Sequence, residues 1–211
     1  MLQHLRSGWA AAMRPPATLL LRLGVHPDVV TWTGTTLTVA VAWTFLPLGW
    51  LWQGALLLAL LVLSDGVDGQ MARMSGRSTA WGAFLDSTLD RIADGALLGA
   101  VALVLALRSS PGWAALAIWA LVAAQVTSYI AARAPSVGLT TSAGLASRAE
   151  RLVLLLAALL LDGLGVPGAL PVGVALLAVL STITVGQRLH AVQRSVAAAG
   201  TGTEPGDRAG G

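Results

Sequence analysis

From Val29 to the region of Gln187 the chain is a succession of long, nearly uncharged apolar stretches. Each is near the ~20 residues that carry a helix across a bilayer. Only 11% of the residues are charged, against 55% hydrophobic and a mean hydropathy of +0.75, where an ordinary soluble domain is about 25% charged. So few polar side chains cannot cover a soluble core. This excludes a soluble globular enzyme, a disordered chain and a collagen-like one. The fold class expected is an all-α integral membrane protein.

Punctuation by Pro47, Gly49, Gly76, Pro111, Pro135, Gly138 and Pro167 divides the apolar sequence. Six transmembrane helices are predicted, at about 27–47, 51–73, 80–107, 112–134, 146–163 and 168–193. Ahead of them, Leu2, Leu5, Trp9 and Met13 fall near one helical face within residues 2–14, with Arg6 and Arg14 off it. That pattern suits an amphipathic helix lying in the membrane interface, although a plain juxtamembrane connector is the alternative. Residues 1–195 thus read as one membrane domain, and the small-residue stretch 196–211 as a disordered tail. Under six spans, Arg6, Arg14, Arg22, Arg73, Arg77, Arg133, Arg148, Arg151, Arg188, Arg194 and Arg208 share one side, and Arg108 alone takes the other. Positive residues stay inside, so both termini are expected to face the cytoplasm from a cell membrane.

The chain has no cysteine and no lysine; all 13 basic residues are arginine. Thiolate metal sites, cysteine nucleophiles and Schiff-base chemistry are excluded. The arginines are scattered rather than gathered in one arm, so nucleic acid is not an expected partner. His4, His26 and His190 are too dispersed for zinc, and His26 reads as a solvated interfacial residue.

Five of the ten acidic residues fall between positions 65 and 94, within or at the edge of two predicted spans. A carboxylate there costs at least a few kcal/mol and marks a functional site by default. Asp65 and Asp68 are three apart, and Asp86 and Asp90 four apart, so each pair shares a helix face. Spans two and three, joined by a short loop, are expected to be antiparallel neighbours whose faces converge. Four carboxylates in a low dielectric repel unless cations neutralise them. All-oxygen ligands without Cys or His suit Mg²⁺ or Mn²⁺, and two such ions bind phosphate oxygens and activate a nucleophile. Two other readings stand beside this one: carboxylates paired with Arg73, Arg77 and Arg91, or an ion pathway of a divalent-cation transporter.

The run DGVDGQMARMSGRSTAWGAFLDSTLD from Asp65 fits D-x2-D-G-x2-A-R-x8-G-x3-D-x3-D at every fixed position: Asp65, Asp68, Gly69, Ala72, Arg73, Gly82, Asp86 and Asp90. This is the signature of the CDP-alcohol phosphotransferase family, which the chain resembles over nearly its whole length. The stretches HPDVVTWTGTTLT at 26–38, TSYIAARAPSVGL at 127–139 and SRAERLVLLL at 147–156 are similar to its actinobacterial members that make phosphatidylinositol phosphate. Those transfer the phosphatidyl group of CDP-diacylglycerol to inositol phosphate and release CMP. Glycerol 3-phosphate or another alcohol is the alternative acceptor within the same chemistry.

The resemblance implies a role for each matching residue. Asp65, Asp68 and Asp86 hold a first ion, and Asp68, Asp86 and Asp90 a second, Asp90 doubling as the general base. Asp28, Thr31, Gly69, Ala72, Arg73 and Gly82 contact the nucleotide of CDP-diacylglycerol. Helix capping by Pro27 and Asp28 is the alternative for the first of these, and tight helix packing is the alternative for the glycines. Arg133, Arg148, Arg151 and Arg188 are the candidates for binding the acceptor phosphate, with positive-inside retention as their alternative. At Ala131 the chain departs from those relatives, which carry a lysine there. The resemblance also implies a homodimer.

Overall fold

The computed structural model describes residues 13–64, 66–76, 79–142 and 144–201, and every regular element among them is helical. The elements are α1 (13–22), α2 (Pro27–Phe45), α3 (Leu51–Ser64), α4 (Gly66–Met74), α5 (Ala80–Leu107), α6 (Pro111–Ser136), α7 (Arg148–Gly163) and α8 (Ala169–Thr201). Three stretches, Leu51–Met74, Pro111–Ser136 and Ala169–Ala198, are long and apolar enough to cross a membrane. Most of the predicted interfacial helix, and with it His4 and Arg6, lies outside the described residues. Its last residues belong to α1, where Ala17 is buried with Val67 and Met71 of α4.

Helix starts follow local chemistry. The His26 side chain caps α2 by accepting the Asp28 N–H, with Pro27 in the first turn. Thr79 caps α5 through Gly82 N–H, and Ser147 with Glu150 forms a capping box at α7. Among helix ends, α8 differs from expectation. It continues through Thr201, past the start of the predicted disordered tail, and the rest of that tail lies outside the described residues. Ala197 and Ala198 explain the continuation, since alanine is the best helix former.

The core is a seam of leucine, valine and alanine, including Leu51, Leu58, Leu105, Leu155, Leu159 and Leu177. α6 packs on α5 and α8, α7 on α3 and α8, and α2 on α3, α4 and α5. The last grouping corrects an expectation. Neither α3 nor α4 packs closely on α5; α2 lies against all three, because a cavity separates the two acidic segments. At the opposite end Arg108 donates to Asp162 at 2.7 Å, and Asp162 also accepts the Leu170 N–H, so one carboxylate joins α5, α7 and α8.

Close packing consumes some glycines. A Cβ on Gly173 would collide with Ala158 Cβ, and one on Gly163 with the Trp52 backbone nitrogen. Gly173→Val is therefore expected to lower the thermal unfolding temperature of the detergent-solubilised protein, at a cost of about 1–3 kcal/mol. An unchanged melting curve would show that α7 and α8 do not meet there.

Candidate active site

α2, α4 and the start of α5 enclose a cavity of about 350 Å³. Its wall includes Asp28, Thr31, Asp68, Gly69, Ala72, Arg73, Gly82 and Asp86, which brings together the described nucleotide-contact candidates with two of the four aspartates. Pro27, Gly66, Thr79 and Ala83 complete it. Asp65 and Arg77 lie outside the described residues. The first turns of α2 and α5 both open on this space, and helix N-termini favour anions.

Asp68 is buried and held on both carboxylate oxygens. It is 6% exposed, Thr31 Oγ1 donates to its Oδ2 at 2.6 Å, and its Oδ1 accepts the Gly69 N–H at 2.5 Å. Thr31 thus holds a carboxylate of α4 from α2, while the cap of α2 is His26 rather than Asp28. Arg73 is oriented by Gln70, whose Oε1 accepts from Nε at 3.2 Å and Nη2 at 3.1 Å. Asp86 is exposed on the opposite wall, and Asp90 follows one turn further along α5. Among the described residues no three His, Asp or Glu side chains converge tightly enough to form a metal centre by themselves. The available donors are all carboxylate oxygens, which suits a hard divalent ion.

The glycines of the motif are not packing residues. Among the described residues, a Cβ on Gly69 would meet only the Arg73 guanidinium at 3.8 Å, and one on Gly82 only Thr79 Oγ1 at 3.4 Å. They face the cavity. Gly69→Leu is therefore expected to leave the melting temperature nearly unchanged while raising at least about tenfold the KM for the molecule that occupies this cavity, by filling its space. A lower melting temperature with an unchanged KM would return Gly69 to a packing role.

For the described arginines the contacts differ from the alternative drawn from sequence, whose Arg77 lies outside the described residues. Arg73 engages Gln70, and Arg91 donates to the backbone carbonyls of Ser87 and Ser128. Among the described residues, Arg148 reaches Asp90 at 3.0 Å and Asp94 at 3.1 Å. Asp94, which the motif does not contain, joins this network through Arg148. Its signal in the sequence is the continued four-residue spacing of Asp86, Asp90 and Asp94 on one face of α5.

Arg151, 5% exposed, donates to the Ala146 carbonyl and lies within electrostatic reach of Asp94, Arg148 and Arg188. Arg188 of α8 donates to the Thr127 carbonyl at 2.6 Å. Arg133 is exposed and turns its Nη1 to Ser136 of its own helix. An apolar groove of about 300 Å³, lined by Leu20, Val25, Val29, Val30, Leu37 and Leu61 among others, shares Asp68 with the polar cavity.

A helical scaffold of this kind around a cavity lined by carboxylates is that of a membrane enzyme family: the chain belongs to the CDP-alcohol phosphatidyltransferase family, whose model matches residues 24–186. It is similar to the phosphatidylinositol phosphate synthase of Cutibacterium acnes, at 46% identity over 207 residues, covering 92% of this chain and 99% of that protein. The Streptomyces avermitilis phosphatidylinositol phosphate synthase is 44% identical over 209 residues, covering 95% of this chain and 86% of its own. The crystal structure of the Mycobacterium tuberculosis phosphatidylinositol phosphate synthase with CDP-DAG bound superposes with a TM-score of 0.82 at 42% identity, over 94% of this chain and 98% of that one. The same enzyme in complex with manganese and citrate gives 0.83 at 42% identity, over 94% and 93%. This membership replaces the ion-pathway reading of the aspartates.

Proposed function

We propose that the protein transfers the phosphatidyl group of CDP-diacylglycerol to the hydroxyl of inositol phosphate, releasing CMP and leaving phosphatidylinositol phosphate in the membrane. One observation carries the donor: a polar cavity and an apolar groove share Asp68, the shape required by a nucleotide headgroup on two acyl chains. The relatives that bind CDP-DAG and carry the phosphatidylinositol phosphate synthase name support both substrates.

Asp65, Asp68, Asp86 and Asp90 are the residues that would hold the divalent ions, two Mg²⁺ or Mn²⁺, and a relative's complex with manganese supports this choice. Such ions, when bound, offset charge on the pyrophosphate and on the departing CMP. Thr31 fixes the Asp68 carboxylate, and Arg73, held by Gln70, forks onto phosphate oxygens. Asp28 and the bare backbone at Gly69, Ala72 and Gly82 let the nucleotide approach the helices closely. Asp90 takes the proton of the acceptor hydroxyl as that oxygen bonds to the phosphatidyl phosphorus and the bond to CMP breaks. Arg148, Arg151 and Arg188 bind the acceptor phosphate, and Arg133 is the remaining candidate.

Six spans with both termini in the cytoplasm place these groups on the side where CDP-diacylglycerol and soluble acceptors meet. Charge segregation supports this orientation, with Arg108 paired to Asp162 at the far end. The working unit is a homodimer in the cell membrane. A membrane assay with radiolabelled CDP-diacylglycerol and a panel of alcohols tests the proposal. Inositol phosphate should give phosphatidylinositol phosphate as the main lipid product, and faster turnover of glycerol 3-phosphate would overturn the acceptor.

A further inference from the structure

Arg148 opens α7, an unfavourable place for a cation on helix grounds alone. A helix N-terminus carries partial positive charge and favours carboxylates, and Glu150 of the capping box already supplies one. What holds Arg148 is α5. Its Nε lies 3.1 Å from both carboxylate oxygens of Asp94, its Nη2 3.1 Å from Asp94 Oδ1, and its Nη1 3.0 Å from Asp90 Oδ1. α5 and α7 do not pack closely on each other, so this guanidinium is a polar strut between them. The two carboxylates are not equivalent. Asp94 is grasped by the inner edge of the fork and is 13% exposed, whereas Asp90 meets the outer nitrogen and is 22% exposed.

We propose that Arg148 is a latch that holds Asp90 until the acceptor's phosphate is seated. Anchored on Asp94, it exchanges Asp90 for a phosphate oxygen at Nη1. Arg151 lines one cavity with it and is itself within electrostatic reach of Arg188, so an incoming dianion meets more than one cation where Asp90 offers a single charge. Asp94 is then a positioning residue and Arg148 the moving one. The exchange releases the Asp90 carboxylate from Arg148 only when an acceptor hydroxyl is present to give up its proton, a form of induced fit. It suppresses a wasteful side reaction. In that reaction a water oxygen bonds to the phosphatidyl phosphorus, the bond to CMP breaks, and the water's proton passes to Asp90. The products are phosphatidic acid and CMP. The inference rests on Asp90 as the base and on a phosphate-bearing acceptor.

The test uses the full chain in lipid nanodiscs with CDP-diacylglycerol, Mg²⁺ and methyl phosphate, a phosphate dianion without an alcohol. CMP release and phosphatidic acid are followed as methyl phosphate is raised. In the unaltered protein methyl phosphate should increase acceptor-free CMP release about tenfold, the scale of one charge-assisted hydrogen bond. In R148Q, acceptor-free release should already be high relative to transfer, and methyl phosphate should add nothing. D94N should shift the same ratio in the same direction, and D94E should restore it. If methyl phosphate competes with inositol phosphate yet leaves CMP release flat, the latch is wrong and Arg148 is only a phosphate ligand. An R148Q protein with a raised acceptor KM and an unchanged ratio of phosphatidic acid to transfer product would overturn the latch equally. Should R148Q not fold, the unaltered protein and D94N decide. Failure of the underlying reading looks different: no phosphatidylinositol phosphate forms from the unaltered protein whatever methyl phosphate does.

Discussion

Stripping divalent metal with a chelator is expected to abolish transfer, and Mg²⁺ or Mn²⁺ to restore it. The electrostatics require this, since Asp68 and Asp86 line the same cavity that must receive an anionic pyrophosphate. Asp86→Asn should lower kcat/KM by more than the about 10- to 100-fold that outer partners of a metal site cost. Manganese binding, read by electron paramagnetic resonance, should weaken in parallel. Asp94→Asn is the comparison. Its carboxylate is engaged by Arg148 rather than by the cavity, so manganese binding should persist while coupling to the acceptor changes. Full activity in chelator-treated membranes would remove the metal reading altogether.

The second large effect concerns the acceptor. Arg151→Gln or Arg188→Gln should raise the KM for inositol phosphate while leaving the KM for CDP-diacylglycerol nearly unchanged. Losing one charge-assisted hydrogen bond corresponds to about 10- to 150-fold in kcat/KM. The geometry adds a way to strengthen the site. Arg188 donates to the Thr127 carbonyl, the group that the N–H of residue 131 addresses in a regular helix. A side chain at 131 therefore rises beside that guanidinium, and Ala131→Lys should lower the acceptor KM by supplying another cation. If neither arginine change alters acceptor use, the phosphate binds elsewhere.

Much of this organisation is legible in the sequence because membrane burial makes charge expensive. Asp68, Asp86 and Arg73 stand out in apolar surroundings, and their spacing places each on a definite helix face. The helix limits follow from Pro27, Pro111 and the capping residues, which act locally. Contacts between distant segments are not legible in the same way. The Arg148–Asp94 pair joins residues 54 apart, and periodicity along α5 shows only that Asp94 faces the same way as Asp90. Nor does a short loop dictate which helix lies alongside. The loop between spans two and three predicts that they touch, but α2 packs against both, because the space between them is the cavity itself. The motif glycines are ambiguous for a related reason. A residue without a side chain gives no sign of whether a neighbouring helix or an open space lies beside it, as the contrast between Gly173 and Gly69 shows.

The far-end link between Arg108 and Asp162 sits where the chain turns from α5 toward α6, and this turn divides the working parts. The residues lining the donor cavity and its apolar groove all come before it, and Arg148, Arg151 and Arg188 come after it. Such a division gives evolution a modular substrate. Drift on the exposed faces of α6, α7 and α8 can retune which alcohol is accepted while the lipid-activating half stays intact, and the bridges from Arg148 to Asp90 and Asp94 are a place where the two halves must change together.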